Sequence, residues 1–207
     1  EKAATPNSTM RIEQYREEAC SAIISLNYEL ALENIQKANE LIDQVKDSLD
    51  SHQIILSSAQ LYYYLESYDK AATLNSGAIS NLKSSQDSEK LASALSLQGF
   101  ISSKLAQFSD SENYFKQANA LYSMSNNEKG KSTILLGRGI LEFEKEKPKI
   151  ALNFLNAGLT KYRELTMSFQ EASALLYKAK ALLVLEDDAK KTYLTQAKMA
   201  LSDALRI

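Results

Sequence analysis

Residues 59–71 read Ala59-Gln60-Leu61-Tyr62-Tyr63-Tyr64-Leu65-Glu66-Ser67-Tyr68-Asp69-Lys70-Ala71, and the stretch closes at Ala78. Shifting this window by 40 residues in either direction brings its landmarks back. The opening small residue recurs as Ala19, Ala59, Gly99, Gly139 and Ala179, each 40 after the last. The second rung is Ala31, Ala71, Ser111 and Ala151, and the third is Ala38, Ala78, Ala118 and Gly158. Three residues before the second rung stand Tyr28, Tyr68 and Phe108, with Pro148 in the fourth copy. A fixed period of this size is the signature of a solenoid, in which each unit buries its apolar face only against its neighbours.

Within each period the apolar residues step by three and four, the spacing of one face of a helix. In the first copy Ile12, Tyr15, Ala19, Ala22, Ile23 and Leu26 form one such row. Asn27 breaks it, and Tyr28, Ala31, Leu32, Ile35, Ala38, Leu41 and Ile42 form a second. The pattern predicts repeats over 9–47, 51–85, 88–124, 127–164 and 168–207, each a pair of antiparallel helices, after a disordered lead-in over 1–8. Asp87 or Ser88 is expected to cap the third pair, because a side-chain oxygen there can accept from an unpaired backbone N–H. Pro148 suits a first helical turn, where its missing N–H would have had no partner. The last helix, near 189–206, has one apolar stripe of Leu194, Ala197, Leu201, Ala204 and Leu205 and is expected to cap the array. The fold class is therefore all-α, an α-solenoid of about five helical hairpins forming one domain over 9–207.

The spacing small-x8-aromatic-x2-small-x6-small, seen in Ala59, Tyr68, Ala71 and Ala78 and again in Gly99, Phe108, Ser111 and Ala118, resembles the tetratricopeptide repeat. The resemblance covers nearly the whole chain. That family's usual period is 34, so this chain is similar to the long-repeat variety found in kinesin light chains and in bacterial peptide-sensing regulators. The family's Trp is absent, and Tyr15, Ile55, Leu95 and Leu135 stand in its place. What the resemblance implies is a right-handed superhelix whose first helices line a concave face. Mapped by register, that face takes Arg16, Cys20 and Ile23, then Gln60, Tyr63 and Tyr64, then Ser96, Phe100, Ser103 and Lys104. It continues with Leu136, Ile140 and Phe143, and with Lys180 and Leu183. The expected peptide-binding groove rests on Arg16, Gln60, Tyr63, Tyr64, Phe100, Lys104, Leu136, Ile140 and Phe143. Because Arg16, Gln60, Lys104 and Lys180 belong to different repeats, the reading favours an apolar segment or amphipathic helix over a carboxylate clamp.

Composition narrows the function classes. A net charge of −2 lacks the basic face that nucleic-acid binding requires. No run of about 18 apolar residues is present that would span a membrane as a helix. One cysteine, Cys20, leaves no intramolecular disulfide, and with His52 as the only histidine the chain lacks the usual ligand set for zinc. Only 2 Pro and 6 Gly leave long helices unbroken. Lys129-Gly130-Lys131-Ser132-Thr133 ends like a phosphate-binding loop, but Ser125 replaces the first glycine and no strand precedes it, so it reads as a helix start. Asn7-Ser8-Thr9 matches a glycosylation acceptor in only three residues. Glu142, Glu144 and Glu146 alternate around a helix and read as a solvated surface.

The expected function is a non-catalytic binding module that needs no cofactor or metal and takes a protein or peptide segment with apolar anchors. The alternative is a sensory or regulatory array belonging to a larger bacterial signalling protein, since the chain opens at Glu1 without Met and reads as an excised piece. A cytoplasmic setting is favoured, and an extracytoplasmic one follows if the array is cut from a sensor. Self-association through the end helices is a third expectation.

Overall fold

The computed structural model describes residues 6–24, 27–42, 49–84 and 87–185, with a few positions between 191 and 199. Nine helices and no strand occur among these residues. They are α1 (Pro6–Ile24), α2 (Tyr28–Ile42), α3 (Leu49–Tyr64), α4 (Tyr68–Ser84), α5 (Ser88–Lys104), α6 (Phe108–Met124), α7 (Glu128–Glu144), α8 (Pro148–Glu164) and α9 (Ser168–Val184). The expected pairs are all present up to α9, and the fold is a TPR-like array of helix pairs. Most of the expected capping helix near 189–206 lies outside the described residues; of its expected apolar stripe only Leu194 is described, and it is 40% exposed.

Two starts come earlier than the periodicity suggests. Helix α1 begins at Pro6, so residues 6–8 belong to a helix and not to the lead-in. Proline is at home there, because the first turn has no intrahelical use for its N–H. Helix α3 begins at Leu49, two residues before the expected start of the second repeat at 51.

The chain divides into two compact units, residues 1–94 and 95–207, where the sequence suggests one continuous domain. In the first, α1 packs on α2, α3 on α4, and α3 also meets α1 and α2. In the second, α6 packs on α7, α7 on α8, α8 on α9, and α9 reaches back to α7. In both units a helix touches its successor and the helix after that, which is the local rule of a solenoid.

Every rung of the ladder is buried where it is described. Ala19, Ala59 and Ala179 on the first helices, and Ala31, Ala71, Ser111 and Ala151 on the second, have essentially no exposed surface. Gly99, Gly139 and Gly158 are buried with them. The reason is close approach. A Cβ on Gly99 would lie 2.6 Å from the Phe115 ring, and one on Gly139 would lie 2.6 Å from Cδ2 of Leu155. Glycine stands where the residue 16 further on is Phe115 or Leu155, and alanine stands where it is Ile35 or Asn75.

A shorter rhythm runs beneath the 40-residue period. Helices α4 to α9 each span 17 residues and start 20 apart. The described turns over 65–67, 105–107, 125–127, 145–147 and 165–167 each take three residues, with Glu66, Ala106, Asn126, Glu146 and Thr166 in the left-handed region at φ of 57, 58, 52, 58 and 53°. In each such turn the following N–H bonds five residues back: Ser67 to the Tyr62 carbonyl at 2.9 Å, Gln107 to Ser102 at 2.9 Å, Met167 to Tyr162 at 2.7 Å. This is the Schellman closure, which satisfies the last carbonyls of a helix. Side chains close the other ends. Asn27 Oδ1 accepts from Leu30, Asp87 Oδ1 from Lys90, and Asn127 Oδ1 from Gly130. Lys129-Gly130-Lys131-Ser132-Thr133 is the first part of α7, as its sequence context suggests.

Candidate functional site

In the first unit, the candidate residues gather on α3 one turn from the rung Ala59. Tyr62 is the ring of the Tyr62-Tyr63-Tyr64 triplet that turns inward and is buried. Tyr63 is half-buried, its ring 5.8 Å from Tyr64 and 5.7 Å from Tyr68. Tyr64 stays 37% exposed, and Gln60 Nε2 donates to its hydroxyl at 2.9 Å. Geometry thus fixes a polar tip beside an aromatic surface on one helix face. Arg16 lies on α1, where its Nη1 donates to Glu13 Oε2 at 2.5 Å. Its charge is already committed within its own helix.

In the second unit, two expected groove residues stand in the core instead. Leu136 and Ile140 are only 4% and 3% exposed and pack with Leu155, Leu159, Tyr162 and Leu175. Helices α8 and α9 both lie against α7 and cover this row. An apolar stripe spaced by three and four reads alike for a groove and for a core, and here it is core. Phe100 and Phe143 are half-buried and pack at the edge of the same cluster. Phe100 stands edge-on to Phe115 at 5.3 Å, and Phe143 edge-on to Tyr177 at 5.6 Å.

Lys104 is the centre of the polar part. Its Nζ donates to Glu144 Oε1 and to the Tyr177 hydroxyl, both at 2.5 Å. The nitrogen is also 5.0 Å from the Tyr177 ring centroid. Since the hydroxyl projects from the ring edge, a nitrogen bonded to it at that distance sits beyond the hydroxyl, not over the face. Lys180 brings a second ammonium to the same ring, 4.9 Å from its centroid. Burial alone would push the Lys104 ammonium down, but its hydrogen bonds to Glu144 and Tyr177 outweigh that and hold it above its ordinary value. It therefore remains a cation at any physiological pH.

Glu144 and Tyr177 were not legible as site residues. Glu144 belongs to an alternating acidic run, and Tyr177 falls between rungs on α9. The sequence also places Lys104 and Lys180 in separate repeats, yet both reach one tyrosine. The neighbouring acids are committed too. Lys145 Nζ lies 3.1 Å from Glu142 and 2.6 Å from Glu112, so the acidic run is partly paired and not simply solvated.

Other chemistry is sparse. Among the described residues no group of three or more His, Cys, Asp and Glu side chains could hold a metal ion. Among them, too, no helix is long and apolar enough to cross a membrane. The side chains of Cys20 and His52 lie outside the described residues.

No family model and no curated protein matches the sequence. Solved structures do match the fold. Aspartyl phosphate phosphatase F from Bacillus subtilis superposes with a TM-score of 0.71 at 14% identity, covering 96% of this chain and 52% of that one. A Rap protein complexed with competence and sporulation factor gives 0.73 at 12% identity, covering 95% and 53%. A putative kinesin light chain from Podosopora anserina with nearly identical TPR-like repeats gives 0.62 at 11% identity, covering 98% and 100%. The chain thus spans about half the length of the two Rap-type structures. These likenesses place it among TPR-like helical repeat folds.

Proposed function

We propose that the chain is a non-catalytic binding module that takes a peptide or protein segment with apolar anchors. The observation that carries this reading is the placement of partly exposed aromatics beside polar tips, one turn from the buried ladder: Tyr63 and Tyr64 with Gln60, and Phe143, packed on the buried Tyr177 ring, with Lys104. Amphipathic rings at a rigid surface contribute much contact area for little lost freedom, which is why they dominate binding hot spots. A Rap protein of the same fold was solved in complex with competence and sporulation factor, which supports the reading. Leu136 and Ile140 contribute as the floor beneath Phe143 and not as contacts.

Labelled pools of apolar hexapeptides test it by fluorescence anisotropy. Tyr64→Ala and Phe143→Ala are each expected to weaken binding about tenfold, the loss of one anchor worth roughly 1.4 kcal/mol. Unchanged binding in folded variants removes these faces from the argument.

A second reading, a regulatory array within a larger signalling protein, is supported by the Rap-type likeness over about half of those chains. The flanking coding sequence decides it. An adjoining output domain supports the reading, and a reading frame with none sinks it.

A further inference from the structure

We propose that the Lys104–Lys180 pair at Tyr177 recognises a carboxylate of the bound segment, and that Glu144 occupies that place until the segment displaces it. The inference rests on the peptide-binding reading and names the chemistry of its second face. An ammonium has three N–H donors. Lys104 directs one to Glu144 and one to Tyr177, which leaves one. Lys180 is exposed and forms no ion pair with any described residue. Two cations and one carboxylate therefore meet at one aromatic ring, and the excess is positive. A ligand carboxylate satisfies that excess, and a cationic side chain is repelled by it.

Glu144 is suited to be a placeholder. Its side chain is 28% exposed, while that of Lys104 is 17% exposed, so the carboxylate is the more accessible partner. It stands at the end of α7, beside the left-handed turn at Glu146. Phe143, the preceding residue, packs on Tyr177 and gives an apolar wall next to the charge. An incoming segment with an acidic residue beside an apolar one would seat both. Lys104 keeps its bond to Tyr177 during the exchange, so its position is preserved.

Three labelled hexapeptide pools, alike in their apolar positions and carrying Glu, Gln or Lys at the fourth, test the proposal on the full chain. The Glu pool is expected to bind about 5- to 10-fold tighter than the Gln pool, and the Lys pool weakest, with the preference falling as salt is raised. Glu144→Gln is expected to tighten the Glu pool several-fold and leave the Gln pool unchanged. Lys180→Met, at an exposed position that the fold does not need, is expected to halve the preference or more. Lys104→Met should abolish it, and a circular dichroism melt identifies a folding failure there. If Glu144→Gln weakens the Glu pool, or if the Lys pool binds best, Glu144 is itself the ligand contact and the proposal is overturned. Equal binding of the three pools overturns the carboxylate site and leaves the peptide-binding reading standing. Binding of none overturns both.

Discussion

Phe115 fills the space that a side chain on Gly137 would need: a Cβ at residue 137 would lie 2.4 Å from Cζ of that ring. The same ring closes on Gly99 from α6, and it has no exposed surface through which to move aside. Alanine is the better helix former by about 1 kcal/mol, but overpacking a filled core costs about 1–3 kcal/mol. Gly137→Ala is therefore expected to destabilise the protein, and Phe115→Leu in the same chain to recover part of the loss. Gly77→Ala is the counter-case. Nothing lies within 4 Å of its added Cβ, so urea unfolding should show a gain of roughly 0.5–1 kcal/mol.

Thr166 holds φ at 53° with a β-branched side chain, a conformation that glycine adopts freely. Thr166→Gly is expected to raise stability by about 1 kcal/mol, taking the lower end of the left-handed penalty. Asn126, already suited to this region, should gain less from the same change. A rise at Asn126 equal to that at Thr166 would count against the strain.

The small-residue ladder was fully legible, because spacing, burial and residue size all follow from one packing demand. The shared left-handed closure of the turns was not. Its turn positions hold Glu66, Ala106, Asn126, Glu146 and Thr166, which share a backbone conformation and no chemistry. Nor could the sequence sort Ile140 from Phe143, since both lie on one apolar stripe and only the approach of α9 separates core from edge. That Lys104 and Lys180 both reach Tyr177 is likewise a product of helix stacking, invisible to any spacing rule within one repeat.

Alkaline stability should reflect Tyr162 and Lys104. Burial pushes the Tyr162 phenol well above its ordinary value of 10.0, only weakly opposed by the backbone at Leu136, and its hydroxyl donates to the Ser132 carbonyl at 3.1 Å. Lys104 is raised above 10.5. For both groups the folded state holds its proton longer than the unfolded chain. Their contribution is complete below those ordinary values and is lost as pH climbs through the raised ones. Thermal melts should be level to about pH 9.5 and fall beyond pH 10. Tyr162→Phe is expected to flatten that fall and to cost about 1 kcal/mol at neutral pH for the lost hydrogen bond.

At the acid end Asp87 does the reverse. The Lys90 backbone N–H, and then the Lys90 ammonium at 3.0 Å, hold its carboxyl below the ordinary 3.8. The cap is intact above that value and is lost as pH falls through the lowered one. Asp87→Ala should cost about 1 kcal/mol at pH 7. The same substitution measured well below pH 3 should cost less, and an equal cost at both would show that charge plays no part in the cap.

The described three-residue turns around Glu66, Ala106, Asn126, Glu146 and Thr166 share one main-chain closure, which makes these junctions interchangeable with one another. A gene segment encoding 40 residues could be copied or excised at any of these turns and would leave each seam with the same geometry. Array length is then a quantity that replication errors can tune without first inventing a compatible joint. Each added copy also brings a fresh helix face on which new specificity can be drawn.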